Sequence, residues 1–156
     1  MNYRAEVLSN LAKIGGVGQE TGRIIQIRNI HLKFRKQKHS AAAWTLSGNI
    51  HINIEQYSDT NQTDNPFLLS LIVHETRHLQ QGVLTALSVY GELDAWQVGF
   101  RFYKEISSSP LGPLIEKILL IPLDWSRGNL TEAASFMKKY SPGYRIDLLP
   151  FYPFHN

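Results

Sequence analysis

The most regular pattern of apolar and polar positions lies in residues 49–55. Ile50, Ile52 and Ile54 stand at alternate positions, and the residues between them are polar. Strict alternation is typical of a strand with one buried face. We therefore predict a strand over residues 49–55, with the isoleucines in the core and an open polar face on the other side.

The chain before this strand combines a helical pattern with further alternating patterns. Apolar residues recur at helical spacing in residues 3–14, and Gly15 and Gly16 follow, which predicts a short helix with a glycine stop. Apolar and basic or amide side chains alternate through residues 23–30 and 32–34. These two segments are predicted to be strands with a basic outer face.

The chain after the strand is predicted to be mainly helical. A helix over residues 66–81 is indicated by Asn65 as the N-cap, Pro66 at the first helical position and Gly82 as the stop. Further helices are predicted over residues 87–106, 114–120 and 129–140, the last with Asn129 and Glu132 as a capping pair. The proline-rich segment 141–156 should be irregular and lie over the core.

Together these elements predict one α+β domain over residues 1–156, with a small mixed or antiparallel sheet packed on a helical layer. The chain has 43% hydrophobic residues, enough to bury a core, and contains no internal repeat or linker. It has no cysteine, which excludes disulfides and thiolate metal sites. A bound metal ion would need histidine or carboxylate ligands.

Charge is distributed unevenly along the chain. Residues 1–40 contain eight basic and two acidic side chains, and the remainder contains eight and eleven, which gives the net charge of +3. A secretion signal needs an apolar core near its start, and this chain has the charged residues Arg4 and Glu6 there. No apolar run approaches the about 20 residues that span a bilayer. We therefore expect a soluble cytoplasmic protein.

The residues that carry chemistry are His74-Glu75-Thr76-Arg77-His78, an H-E-x-x-H sequence inside the predicted 66–81 helix. Side chains four residues apart lie on one face of a helix, so His74 and His78 can bind the same metal ion. Zn²⁺ accepts neutral imidazole nitrogen and leaves one position to water in catalytic sites. Glu75 is then placed to take a proton from that water.

A third ligand is expected from the next helix. Glu92 shares a helical face with Ala95 and Gly99, and these small residues would let the two helices approach closely. Asp94 points about 200° away from Glu92 around the helix, which makes it an alternative ligand or an outer partner of a histidine. Both possibilities remain open at this stage.

The order of these motifs carries a resemblance to a known family. The strand NIHINI, the helix with HETRH and the helix with ELDAW resemble the core of the HExxH zinc metallopeptidases. They are similar to the gluzincin group of zincins, whose third ligand lies on an E-x-x-A helix. The match covers about residues 49–103, about a third of the chain. Trp96 stands where many such families have an aspartate that orients a zinc-bound histidine.

The resemblance implies a zinc-dependent peptidase with one Zn²⁺ per chain. His74, His78 and Glu92 would be the zinc ligands, and Glu75 would be the general base and acid. It also implies that the 49–55 strand is the sheet edge along which an extended peptide substrate lies. Candidates for contacting the substrate or the oxyanion are His51, Tyr144 and Arg145, with Tyr103 as a further aromatic that core packing would equally explain.

Two other functions compete with the peptidase. The zinc could serve only to hold two helices together, although such a site does not need Glu75. Alternatively, the basic segment His31-Leu32-Lys33-Phe34-Arg35-Lys36-Gln37-Lys38-His39 could bind nucleic acid through phosphate contacts and base stacking. A basic alternating strand is more often a solvated face or a protected sheet edge, so nucleic acid is not the expected partner.

The segments expected to cover the site are the polar loop 56–64 and the C-terminal tail. A peptidase among other cellular proteins needs restricted access to its cleft, and both segments are placed to provide it. The expected partner is a peptide or protein substrate, with no membrane association.

Overall fold

A computed structural model describes residues 3–37, 40–57 and 63–153. Within these residues the chain forms a mixed α and β structure. Its elements are, in chain order, α1 (Tyr3–Ile14), α2 (Gly16–Ile27), β1 (Leu32–Arg35), β2 (Ala42–Trp44), β3 (Ile50–Asn53), α3 (Pro66–Gln81), α4 (Val83–Ala86), α5 (Val89–Ile106), α6 (Pro113–Leu120), α7 (Arg127–Tyr140) and a final 3₁₀ turn (Ile146–Leu148).

The three strands form one small mixed sheet in the order β1-β3-β2. β1 runs parallel to β3, with Leu32 opposite Ile50, and β2 runs antiparallel to β3, with Ala43 opposite His51. The α+β class with a small mixed sheet is therefore confirmed. The expectation that segment 49–55 is an edge strand is wrong, because β3 has a hydrogen-bonded neighbour on each side. The edge strands are β1 and β2.

The prediction for the strand itself is confirmed over residues 50–53. Ile50 and Ile52 are fully buried, as the alternating pattern requires. Ile54 lies beyond the end of β3 and is 54% exposed, whereas Asn53 is buried and donates two hydrogen bonds to the carbonyls of Gln37 and Ser40. The polar face of β3 is therefore partly closed by the loop between β1 and β2.

One hydrophobic core lies between the N-terminal helices, the sheet and α3. It is built from aliphatic residues of each of these elements and from one aromatic residue of α5. The members with no more than 1% of their surface exposed include Val7, Leu11, Ile25, Ile30, Ile50, Ile52, Leu68, Ile72, Val73 and Phe102. Burial of these side chains holds α3 against the sheet.

A second core joins α5 to α6, α7 and the C-terminal tail. Its buried members include Val89, Leu93, Ile115, Ile118, Leu130, Met137 and Ile146. The tail is attached to the start of α5, where the N–H groups of Val89 and Tyr90 donate to the carbonyls of Pro150 and Phe151. The described part of the tail is therefore irregular and packed on the core, as predicted, apart from its 3₁₀ turn.

The close approach of α3 and α5 was predicted from the small residues of α5 and is confirmed at Gly99. The Oγ of Ser70 donates to the carbonyl of Gly99 at 2.9 Å. A Cβ on Gly99 would lie 3.1 Å from the carbonyl oxygen of Ser70 and 3.2 Å from the Cβ of His74. Any larger residue at position 99 would push the two helices apart next to His74.

The helix boundaries agree with the sequence signals in most places. Asn65 caps α3 by accepting hydrogen bonds from the N–H groups of Phe67 and Leu68, and Gly82 ends it with a positive φ of 79°. The α7 cap differs from the prediction. Ser126, not Asn129, is the N-cap, because its Oγ accepts from the N–H of Asn129 at 3.4 Å and so starts the helix three residues earlier.

The largest error of the sequence prediction concerns residues 23–30, which were expected to form a strand. They belong mostly to α2, a helix that packs on α1 through its small residues. A Cβ on Gly18 would lie 2.8 Å from the carbonyl oxygen of Leu11 and 3.1 Å from the ring of Phe102. This tight packing stabilises a helix that its glycines would otherwise disfavour.

No helix among residues 3–37, 40–57 and 63–153 has the length and apolar character needed to cross a membrane.

Candidate metal centre

The two histidines of α3 and Glu92 of α5 converge on one point. The Nε2 atoms of His74 and His78 lie 3.1 Å apart. The Oε2 atom of Glu92 lies 3.8 Å from Nε2 of His74 and 3.4 Å from Nε2 of His78. These three ligand atoms form a group that can hold a metal ion. The i, i+4 spacing on α3 aligns the imidazoles, and Gly99 lets α5 bring Glu92 to them.

The separations fit a tetrahedral metal shell. Ligands about 2.0–2.1 Å from a zinc ion at tetrahedral angles lie about 3.3 Å from each other, close to the observed 3.1, 3.4 and 3.8 Å. The Oε2 atom of Glu92 is buried and, in the described residues, receives no hydrogen bond. A buried carboxylate oxygen without a donor is costly, and a cation at this point would remove the cost.

The protonation states also favour a cation site. Burial, followed by the nearby His78, lowers the pKa of His74 to about 3, so its imidazole is neutral and has a lone pair to give. Burial alone would raise the pKa of Glu92, but the positive charge of His78 beside it outweighs burial and lowers that pKa. A neutral imidazole and an ionised carboxylate are the forms that bind zinc, and His74 and Glu92 have them. At His78 the negative charges of Glu92 and Glu75 outweigh burial and raise the pKa, so this ring gives up a proton when it binds a metal ion.

Glu75 lies beside the ligand group, and its two carboxylate oxygens have different neighbours. Its Oε2 accepts a hydrogen bond from the backbone N–H of Trp44 at 2.7 Å, and its Oε1 lies 4.0 Å from Nε2 of His74. Burial is the main cause that raises the pKa of Glu75 to about 7. The carboxyl group is therefore held by edge strand β2, with one oxygen turned towards the ligand atoms.

Asp94 is not a member of the ligand group, which decides between the two carboxylates. Its Oδ2 accepts hydrogen bonds from Nε of Arg77 and Nε2 of Gln81, each at 2.7 Å. Gln81 in turn contacts Nδ1 of His78 through its Oε1 at 3.1 Å. Asp94 was alternatively predicted to be an outer partner of a histidine. It is connected to His78 in this way, but indirectly, through the side chain of Gln81.

Tyr144 is the predicted tail residue that does reach the centre. Its hydroxyl group is hydrogen-bonded to the carboxylate of Glu92 and to the side chain of Trp96. Burial and the negative charge of Glu92 raise the pKa of Tyr144 well above its usual value, so the hydroxyl stays protonated and donates to Glu92. The ring of Trp96 packs against the ring of Tyr144 and, edge-on, against the ring of His74.

His74 has a different outer partner. Its ring is hydrogen-bonded to the backbone of Ala95. Each of the three candidate ligands is consequently held by a second group that comes from α5, from the end of α3 or from the tail. Such outer contacts are typical of metal ligands because they fix the orientation of the ring or carboxylate.

A cavity of about 470 Å³ opens beside the ligand group. One wall is the small-residue edge of β2, and the opposite wall is apolar and largely aromatic. In addition to the ligands and Glu75, its lining residues include Ala41, Ala42, Ala43, Phe67, Leu71, Trp96, Phe100, Tyr140 and Tyr144. Within the described residues, the only charged or titratable lining groups apart from tyrosines are the two histidines and two glutamates of the centre.

Two predicted site residues are not brought to this cavity. His51 lies on the central strand, paired with Ala43 on β2, and does not line the cavity. Burial, with Arg35 and Lys33 nearby, lowers the pKa of His51. Arg145 is exposed and contacts Asp147 at 3.4 Å. Tyr103 packs its ring edge-on against Phe67, which fits the core role weighed for it.

The basic segment 31–39 is described as far as Gln37, and Lys38 and His39 lie outside the described residues. Phe34, the aromatic residue expected to stack on a base, packs edge-on against Tyr3 with ring centroids 4.7 Å apart and belongs to the margin of the first core. The exposed cations, Lys33 and Arg35, point to the other face of β1. The ring and the cations are thus separated, which disfavours the arrangement that base stacking beside phosphates requires.

Three contributions to the site were missed by the sequence analysis. Trp44 acts through its backbone, on a strand whose alanine-rich sequence gives no strand signal, and Gln81 has an ordinary helical position. Trp96 was noted for its place in the motif, but its contact with Tyr144 was not predicted. One sequence feature could have identified Gln81. It stands three residues after His78, and side chains at this spacing are neighbours on the surface of a helix.

The chain matches no model of a known protein family, no curated protein and no solved structure.

Proposed function

We propose that this protein is a zinc-dependent peptidase. In this proposal His74, His78 and Glu92 hold one Zn²⁺, and Glu75 is the general base. The observation that carries it is the position of Glu75: it is buried in the same cavity as the ligand atoms, 4.0 Å from Nε2 of His74, and is oriented by the N–H of Trp44. A purely structural zinc site has no use for a buried carboxylate held in this way.

A zinc ion held by His74, His78 and Glu92 would supply Lewis acidity, lowering the pKa of bound water towards about 7 and polarising a carbonyl oxygen. Glu75 takes the proton from the attacking water and delivers it to the departing amine. The bound cation would lower the pKa of Glu75 from about 7, so the carboxylate is available as a base at neutral pH. Tyr144, which lines the cavity, holds Glu92.

The substrate is proposed to lie along β2, not along β3 as the resemblance implied. The N–H of Thr45 and the carbonyl of Ala41 face β3, so alternation turns the backbone groups of Ala42 and Trp44 the other way. Trp44 already donates to Glu75. An extended peptide can therefore pair with the outer edge at Ala42, beside the ligand group.

The cavity walls favour a peptide with a large apolar side chain near the cleaved bond. Phe67, Leu71 and Phe100 line the cavity together with the alanines of β2, and no lysine, arginine or aspartate among the described residues lines it. Burial of an apolar side chain there contributes about 1.5–3 kcal/mol. Among the described residues of the basic segment 31–39, none lines this cavity.

The test combines metal content with cleavage. Elemental mass spectrometry of the untagged protein should find about one zinc per chain, lost in His78→Ala and in Glu92→Ala. A mixture of peptides analysed by mass spectrometry should then be cleaved by wild type, and about 10²–10⁴-fold more slowly by Glu75→Gln. Glu105→Gln, an exposed change on α5, is the matched control.

Three outcomes would contradict the proposal. Absence of zinc in wild type, with none taken up from solution, would remove the metal centre. Zinc binding without cleavage of any peptide would leave a zinc site that serves only to hold α3 and α5 together. Equal cleavage by wild type and Glu75→Gln would refute the role of Glu75 as general base.

A further inference from the structure

We infer that Gln81 and Asp94 are positioning residues that set the protonation pattern of the His78 ring. The contacts form one continuous path from α5 to the ligand atom. Asp94 accepts from Nε2 of Gln81 at 2.7 Å, and Oε1 of Gln81 contacts Nδ1 of His78 at 3.1 Å. Neither residue touches the cavity, so both act through His78.

The orientation of the Gln81 amide follows from its partners. The amide group ends in one nitrogen with two protons and one oxygen with none. On one side it meets the carbonyl of Gly91 at 2.9 Å and the carboxylate of Asp94, both of which only accept hydrogen bonds. The nitrogen must face these two acceptors, and the oxygen must therefore face His78.

This orientation decides which nitrogen of His78 carries the proton. An amide oxygen can only accept, so the contact at Nδ1 requires a proton on Nδ1. A neutral imidazole has one N–H, and its Nε2 is then left with a lone pair. Nε2 is the atom directed at His74 and Glu92. When the ring is neutral, the network therefore leaves Nε2 free to bind a metal ion.

The charges explain why an amide stands at position 81. Asp94 is 6% exposed and is paired with Arg77 at 2.7 Å, which compensates its negative charge. A carboxylate at position 81 would place a second negative charge at hydrogen-bond distance from Asp94. Glutamine transmits the orientation from Asp94 to His78 without adding charge. Glu92 and Asp94 both belong to α5. The packing of α3 on α5 therefore places both the candidate ligand Glu92 and Asp94, the partner of Gln81.

The first test reads the ring directly and needs neither metal nor activity. Nitrogen-15 NMR of the metal-free full chain, at a pH above the range in which imidazole is protonated, distinguishes Nδ1–H from Nε2–H. We expect His78 to be the Nδ1–H form in wild type and to gain Nε2–H in Gln81→Met. Gln80→Met makes the same substitution one residue earlier on α3 and should leave the spectrum of His78 unchanged.

The second test measures zinc affinity by competition with a chromogenic chelator. The loss of an outer partner typically weakens metal binding about 10–100-fold, and we expect this for Gln81→Met. Gln80→Met should stay within about twofold of wild type. Arg77→Met, which removes the ion pair but keeps the Gln81 contact, should weaken binding less than Asp94→Leu.

The zinc part of this inference rests on the proposed metal centre, and the two tests separate their failures. Wild type with His78 in the Nε2–H form, or a Gln81→Met spectrum equal to that of wild type, overturns the positioning role whether or not zinc binds. Zinc that binds neither wild type nor variants refutes the proposed function, while the spectra still decide the role of Gln81. Thermal unfolding of each variant shows whether a loss of affinity comes from loss of fold.

Discussion

Replacement of Gly91 by alanine would test how closely α5 must approach the turn that precedes it. A Cβ at position 91 would lie 2.0 Å from the carbonyl oxygen of Thr85, and Cβ contacts below 3.0 Å are essentially never seen in proteins. The obstructing atoms belong to the backbone of Thr85 and Ala86, so no change of rotamer relieves the contact. The junction between α4 and α5 would have to open by about 1 Å or more.

The expected cost follows from two opposing contributions. Overpacking destabilises a protein by about 1–3 kcal/mol. Because the backbone cannot move aside as a side chain can, we expect a cost of about 3 kcal/mol here. Alanine is favoured over glycine inside a helix by about 1 kcal/mol, which offsets part of the cost. The free energy of unfolding should therefore fall by about 2 kcal/mol. Zinc affinity should fall as well, because Gly91 precedes Glu92 and accepts a hydrogen bond from Gln81.

Gly128→Ala is the matched control for this prediction. Gly128 is also helical, is exposed at the start of α7, and its Cβ would meet only the Oγ of Ser126 at 3.6 Å. That substitution should stabilise by about 0.5–1 kcal/mol. Urea unfolding of the metal-free proteins should separate the two variants by about 3 kcal/mol. Equal stability of Gly91→Ala and Gly128→Ala would refute the close approach at Thr85.

Three further predictions concern caps, pH and the tail. Asn65→Ala removes the acceptor for the N–H groups of Phe67 and Leu68 and should cost about 1 kcal/mol in urea unfolding; an unchanged midpoint would contradict the cap. Burial, with Tyr140 as a smaller cause, raises the pKa of Tyr57 to about 12. The unfolded chain therefore loses this proton first. Stability present below about pH 10 should fall by up to about 3 kcal/mol as the pH rises through 12, a loss that Tyr57→Phe should reduce. Tyr144→Phe removes the donor to Glu92 and should weaken zinc binding about 10-fold or more in a chelator competition; unchanged affinity would show that Tyr144 does not orient Glu92.

The helices with strong local signals were predictable to within a few residues. Asn65, Pro66 and Gly82 fix both ends of α3 because capping and a positive φ are local properties of the backbone. The helix α2 was not predictable in the same way. Its inward face is made of Gly18, Thr21, Gly22 and Ile25, so the helical period is carried mostly by small residues that a search for apolar periodicity overlooks.

The candidate site was predictable in its ligands but not in its surroundings. The spacing of His74 and His78, and the face shared by Glu92, Ala95 and Gly99, are consequences of helix geometry. The contact from Trp44 to Glu75 depends on β2, a three-residue strand that exists only because β3 pairs with it. Tyr144 was one of several tail and strand candidates, and only folding of the tail onto α5 distinguishes it from Arg145 and His51.

The sequence by itself determined the α+β class, the helix that carries H-E-x-x-H and the ligand types, since each depends on contacts within a few residues of the chain. The tertiary structure decided the strand order β1-β3-β2, which makes β2 the edge beside the cavity, and the partners of each ligand. Strand order and outer contacts join residues far apart in sequence, such as Gln81 with Asp94 and Trp44 with Glu75. Such pairs form only when packing brings their elements together, so no local pattern in the chain encodes them.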